Sequence, residues 1–214
     1  MHLIRHQDDN AASINRLLTG VPFYNEVSRL SADEFNLLLE NTRYYFAQEN
    51  EWVINDGDKG PTLFFLLRGK LDVYREENAS CAVYSITPGE VFGAVSALLG
   101  TPRTAAIRVA SGCKEAVLAE VDFARFNVDK GQHFSLPVKI AFYKMLMHHL
   151  RWTLEVKRMQ TPNHELIKEL FKLPVVNTQQ HDQLTLNALQ KQTKALAELL
   201  CVWNEEITPC AVMQ

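Results

Sequence analysis

Between Pro88 and Ile107 the chain reads Pro-Gly-Glu-Val-Phe-Gly-Ala-Val-Ser-Ala-Leu-Leu-Gly-Thr-Pro-Arg-Thr-Ala-Ala-Ile. A turn with two glycines leads into a short apolar helical run, and a lone arginine, Arg103, follows between Pro102 and Thr104. Glycine lets backbone approach a ligand closely, and the first amides of a helix favour negative charge. A guanidinium nearby adds a two-pronged contact to a phosphate. The chemistry on offer is therefore capture of a small phosphate-bearing anion by Arg103 and the amides of Gly93, Ala94, Val95, Ser96 and Ala97. The same residues also read as a β-turn, one helical turn and a surface arginine.

Catalytic patterns do not occur. There is no Gly-x-Ser-x-Gly elbow, no P-loop and no His-Glu-x-x-His. His148 and His149 are adjacent on a helix and point in different directions, which argues against joint metal ligation. No histidine falls between His6 and His133, so a metal-holding β-roll is not expected. Cys81, Cys113, Cys201 and Cys210 show no Cys-x-x-Cys spacing and read as reduced structural thiols. The expectation is a protein that is not an enzyme, with no cofactor and no metal.

Elements that could position Arg103 follow from periodicity and punctuation. Ala11 to Leu18 reads as a short helix ending at Gly20, Val21 to Tyr24 as a connector, and Ser31-Ala32-Asp33-Glu34 as a helix start with a capping serine. Beyond Tyr45 come short β-type runs: Trp52–Ile54, Leu63–Leu67, Leu71–Tyr74, Cys81–Ile86, Ala106–Val109 and Ala116–Val121, with Gly/Asn/Asp turns between them. The result is an α+β chain built on an antiparallel β-roll.

A long helix is expected over Ser135–Gln160. Its Val138, Phe142, Met145, His149, Trp152, Val156 and Met159 follow a heptad seam. A short helix over His164–Phe171 comes next, then one over Asp182–Trp203 with Leu189, Thr193, Leu196, Leu200 and Trp203 on one stripe.

These landmarks together resemble the cyclic nucleotide-binding domain family of catabolite activator proteins, cAMP-dependent kinase regulatory subunits and cyclic-nucleotide-gated channels. Phe92-Gly93, Leu98-Leu99 and Pro102-Arg103 match that family's phosphate-binding cassette. Gly57-Asp58, Gly69 and Pro88-Gly89-Glu90 match its spaced turns, and the helix, Pro-Phe loop and helix match its entry. The likeness covers roughly residues 15–160. It implies a jelly-roll-type β-roll, a nucleotide site at Phe92–Ala97, Arg103, Thr104 and Ala105, and a base contact near Thr153. Arg103 would hold the phosphate of cAMP, cGMP or another cyclic nucleotide. In relatives that accept cGMP a threonine follows the arginine, as Thr104 does here.

One position departs from the pattern. The family's glutamate, which accepts the ribose 2′-hydroxyl, is replaced by Ala94. Loss of a hydrogen bond to a charged acceptor, about 1.5–3 kcal/mol, weakens binding roughly ten- to 150-fold. Three outcomes stay open: weak cyclic nucleotide binding, a different phosphate ligand, or an empty domain.

The resemblance divides the chain into a domain over 1–133, a dimerisation helix over 134–160 and a helical extension over 161–214. It points to a ligand sensor that forms a homodimer through 135–160 and offers 182–203 to a protein partner. A catabolite-activator-like transcription regulator is the alternative, with a ligand-free adaptor beside it. DNA is not the expected partner. Only 54 residues follow Gln160, carrying four lysines against six acids, where a DNA-reading tail should be basic. The net charge of −3 agrees. No apolar run approaches a membrane span and no signal-peptide core is seen at the N-terminus, so the expected location is the cytoplasm.

Overall fold

A computed structural model describes residues 2–4, 11–77, 79–126, 134–176 and 182–206. The chain falls into two units, residues 1–124 and 125–214. The first holds a strand β1 (His2–Ile4), helices α1 (Ala11–Leu18), α2 (Pro22–Leu30) and α3 (Ala32–Glu40), and then strands β2 (Thr42–Gln48), β3 (Trp52–Ile54), β4 (Thr62–Arg68), β5 (Leu71–Tyr74), β6 (Tyr84–Ile86) and β7 (Val91–Phe92). A short helix α4 (Ala94–Leu99) and strands β8 (Ala106–Val109) and β9 (Glu115–Asp122) complete it. The strands form two antiparallel sheets, ordered β1-β2-β9-β4-β7 and β3-β8-β5-β6. This is the α+β, two-sheet roll that the sequence led us to expect.

The roll's core lies between the sheets. Ala47, Phe64, Leu66, Phe92, Ala116 and Leu118 of the first sheet meet Ile54, Leu71, Ile86, Ile107 and Val109 of the second. Side chains alternate along a strand, so β4 also turns Leu63, Phe65 and Leu67 to the opposite face. Five successive β4 residues are buried, as a strand covered on both faces requires. Phe65 stacks on Phe23 at 6.0 Å and meets Tyr24 edge-on at 5.3 Å, which packs α2 on the outer side. The buried Tyr24 hydroxyl pairs with Thr42 Oγ1 at 3.1 Å, and the Thr42 hydroxyl donates to the Leu38 carbonyl at 2.7 Å.

Ser31 caps α3, its Oγ accepting from the Glu34 amide at 3.2 Å. Residues 22–24, expected as a connector, are instead the first turn of α2, with Pro22 at the helix start, where its missing N–H costs nothing. The return strand begins at Tyr84 rather than Cys81. Cys81 is disulfide-bonded, which corrects the reading of four reduced thiols; Cys113 and Cys201 are free, and Cys210 lies outside the described residues.

In the second unit, α5 (Leu136–Gln160) is followed by α6 (Ile167–Lys172) and α7 (Gln183–Glu206). Phe126 stacks against Phe134 and Phe142 at 4.7 and 3.8 Å. Helix α7 packs along α5 through a stripe on which Leu189, Thr193, Leu196, Leu200 and Trp203 are all buried. On α5 the heptad seam divides. Val138 and Phe142 are buried, whereas Trp152 and Met159 are each 59% exposed. The buried face over that second half is Leu146, Leu150 and Leu154, spaced four apart on the other side of the helix. Among the described residues, no helix is long and apolar enough to cross a membrane.

Candidate functional site

Arg103 leaves the surface and lies in a slot built by three separate segments. It is 6% exposed. One terminal nitrogen, Nη1, donates to the Gly93 carbonyl and to Ser96 Oγ, both at 2.9 Å. The other, Nη2, donates to the Thr62 carbonyl at 2.8 Å and to Thr62 Oγ1 at 3.3 Å. Its backbone is pinned as well: the Arg103 amide donates to the Asp58 carbonyl at 2.8 Å, and the Gly57 amide to the Arg103 carbonyl at 2.9 Å. The guanidinium carbon sits 5.9 Å from the centroid of the Phe64 ring.

Two glycines make the room. A Cβ at Gly60 would lie 2.6 Å from Arg103 Nε, and one at Gly93 would lie 2.5 Å from Nη1. Gly93 also takes φ +78°, left-handed backbone that glycine adopts without strain. It stands at the N-cap of α4 without any side-chain cap, so the first amides of that helix have no capping partner.

Electrostatics set Arg103 apart. Burial pushes its basicity down, and the charges of Glu120 and Asp58 partly restore it. All four of its side-chain bonds go to neutral oxygens. The site is thus a buried cation held by dipoles, with four of its five N–H groups satisfied by the fold. A charge in that setting gains strongly from an anion.

The expected site residues are placed as follows. Phe92, Ala94, Ser96 and Ala97 are buried, Gly93 and Val95 half-buried, Thr104 exposed and Ala105 half-buried. Gly93, Ser96 and Arg103 come together; Ala94, at 3% exposure, brings a buried methyl where the family pattern has a carboxylate. Glu90 does not substitute for it. Its carboxylate accepts from Tyr84 Oη at 2.6 Å and from Thr87 N and Oγ1 at 2.5 and 3.1 Å, holding the preceding turn. Thr153 belongs to the second unit, where its hydroxyl donates to the His149 carbonyl at 3.0 Å. Thr62, Gly60, Asp58 and Glu120 complete the surroundings of Arg103; of these the sequence singles out only Asp58, as part of the Gly57-Asp58 turn and not as a neighbour of Arg103. The local signs are Gly57-Asp58 and Gly60-Pro61, and by composition they read only as a turn. Among the described residues no cluster could hold a metal ion.

Comparison with known proteins locates the same segment. Residues 46–127 match the family model described as cyclic nucleotide-binding domain. A cyclic nucleotide-binding domain from Methylobacillus flagellatus is 18% identical with TM-score 0.50, the match covering 61% of this chain and 72% of that one. Cyclic-AMP-bound PfPKA-R is 18% identical with TM-score 0.47 over 68% of this chain. The regulatory subunit of a cAMP-independent protein kinase A from Trypanosoma brucei is 20% identical with TM-score 0.46, over 74% and 48% of the two chains. The chain spans about half of the PfPKA-R structure it matches, 47%. No match is found among curated proteins.

Proposed function

Residues 46–127 belong to the cyclic nucleotide-binding domain family, and from that premise we propose that this chain is a non-enzymatic, cytoplasmic sensor of a cyclic nucleotide. Arg103 holds the phosphate, the amides from Gly93 to Ala97 line it beside Phe92, and Thr104 and Ala105 shape the base side. The observation that carries this reading is the guanidinium itself: it is 6% exposed and bonded only to neutral oxygens. A buried positive charge of this kind is costly unless an anion can reach it. Cyclic AMP, cyclic GMP and related cyclic nucleotides are the candidate ligands.

In the same proposal the long helix from 134 to 160 passes the signal on and joins two copies of the chain. Met145, His149, Trp152, Val156 and Met159 are half-buried or exposed, so the second half of the seam is open to a second copy. The helix over 182–203 has its buried stripe engaged by α5, which leaves only its outer face for a protein partner.

A second reading, a ligand-free adaptor, is favoured by one observation. Four of the five guanidinium N–H groups are already spent on the fold, so a phosphate must displace some of them.

A thermal-shift panel of cAMP, cGMP and cyclic dinucleotides, run beside Arg103→Ala, separates the two. Stabilisation by a ligand, lost in the variant, supports the sensor. A flat panel up to millimolar ligand refutes it and leaves the adaptor. Tight, sequence-selective binding of duplex DNA would instead move the chain to the transcription regulators.

A further inference from the structure

The roll's inner face carries a second charged group beside Arg103. Strand register places Arg43 of β2 opposite Glu120 of β9, Glu120 opposite Phe64 of β4, and Phe64 opposite Phe92 of β7. Ala116 and Leu118 of β9 belong to the core between the sheets, and alternation puts Glu120 on that same inner face. Thr62, which holds Arg103 Nη2, is the next inner residue of β4. Arg103 and Glu120 are therefore both neighbours of Phe64, the guanidinium carbon 5.9 Å from its ring centroid and Glu120 its register partner on the adjacent strand.

Glu120 is 8% exposed. Its Oε2 accepts from Tyr45 Oη at 2.8 Å and forms an ion pair with Arg43 Nε at 2.9 Å, while Oε1 accepts no hydrogen bond from a described residue. Tyr45 and Arg43 thus fix the carboxylate in one orientation and leave one oxygen unfilled. Oε1 is not among the fully buried unpaired atoms, so a ligand hydroxyl can reach it, and a hydrogen bond to a charged acceptor is the stronger kind.

We propose that Glu120 is a specificity-determining residue of the nucleotide site, its Oε1 accepting the sugar hydroxyl of a ligand whose phosphate Arg103 holds. The inference rests on the sensor reading above. In a 3′,5′-cyclic nucleotide the phosphate and sugar form a rigid fused ring and the 2′-hydroxyl is the only free hydroxyl on the sugar. A cation and an acceptor that both neighbour one phenylalanine suit such a compact pair of groups. Ala94 offers no acceptor of its own, so the carboxylate comes from β9 rather than from the helix.

The test compares cAMP with 2′-deoxy-cAMP by isothermal titration on wild type, Glu120→Gln and Arg103→Ala, with melting curves recorded for each. Wild type should prefer cAMP by about tenfold or more, the worth of one hydrogen bond to a charged acceptor. Glu120→Gln should shrink that preference while still binding 2′-deoxy-cAMP. Because wild type alone must discriminate, the inference can fail even where the variant does not fold. Equal affinity of wild type for the two nucleotides, with both lost in Arg103→Ala, overturns the role of Glu120 and leaves the sensor standing. Absence of binding for both nucleotides overturns the sensor reading and this inference with it.

Discussion

Gly60→Ala isolates the slot around Arg103, because it adds one methyl group and changes no charge. The new Cβ would lie 2.6, 2.7 and 2.8 Å from Arg103 Nε, Cζ and Cδ. Pro61 already biases residue 60 towards extended backbone, which alanine adopts readily, so the clash is the main cost. It can be relieved in two ways. The guanidinium can leave, giving up its bonds to Gly93, Ser96 and Thr62, each worth about 1.5–3 kcal/mol with a charged donor. Alternatively the loop can swing outward, giving up the bonds from Arg103 N to Asp58 and from Gly57 N to Arg103, about 0.5–1.5 kcal/mol apiece. The second route is cheaper and sets the expected destabilisation at about 1–3 kcal/mol.

Urea unfolding followed by circular dichroism measures it, and a double-mutant cycle assigns it. In an Arg103→Ala background the atoms that the methyl would strike are gone. There Gly60→Ala should cost less than about 0.5 kcal/mol, leaving a coupling of about 1–2 kcal/mol. Equal costs in the two backgrounds, or no cost in wild type, would refute the idea that Gly60 exists to admit Arg103.

Ser96→Ala removes one acceptor from Arg103 Nη1 and should destabilise the first unit by about 1–2 kcal/mol in the same unfolding assay. Ser31→Ala removes the α3 cap and should cost about 1 kcal/mol. Burial lowers the Lys157 amine from 10.5 to about 8. The folded chain then holds fewer protons than the unfolded one between those values, so its stability climbs as pH rises from about 8 and the penalty is full below. Lys157 is partly solvated, which leaves about 1–2 kcal/mol after screening. Lys157→Met should recover that amount at neutral pH and flatten the climb in chemical denaturation at mildly alkaline pH. Trp152→Glu with Met159→Glu should shift a homodimer to monomer in sedimentation velocity without lowering the melting temperature of the monomer. An unchanged mass would remove the α5 seam from the proposed interface.

Sequence marked the cassette well, because its turn, helix and arginine are contiguous and each has a local signal. Its partners were harder to read. Thr62 contributes a carbonyl, which any residue carries, and Glu120 looks like an ordinary polar position at the end of an apolar strand. Neither has a motif, since strand pairing alone brings them beside Arg103. Pro22-Phe23 was legible in principle, for proline in the first turn is a helix-start signal as much as a loop signal. On α5 the seven-residue repeat was real, but Leu146, Leu150 and Leu154 form a second apolar row on the same helix. Periodicity finds both rows and cannot say which one its own chain will cover; in the fold the leucines are buried and α5 packs against α7.

The geometry of Arg103 reconciles its structural and proposed binding roles. Thr62, Gly93 and Ser96 satisfy the direction of its N–H groups, but neutral dipoles offset only part of the cost of burying a charge. Asp58 and Glu120 supply long-range compensation, and no carboxylate closes on the guanidinium as an ion pair among the described residues. Had Ala94 been a carboxylate, one more acid would lie at the start of the helix, near the arginine. Its replacement by alanine therefore does two things at once. It removes an acceptor from the cassette, and it leaves the guanidinium with less local compensation than the family pattern would give it. An anion entering this site meets a cation most of whose hydrogen bonds are filled and whose charge is not, so the charge of the ligand, more than the number of its contacts, governs whether it binds.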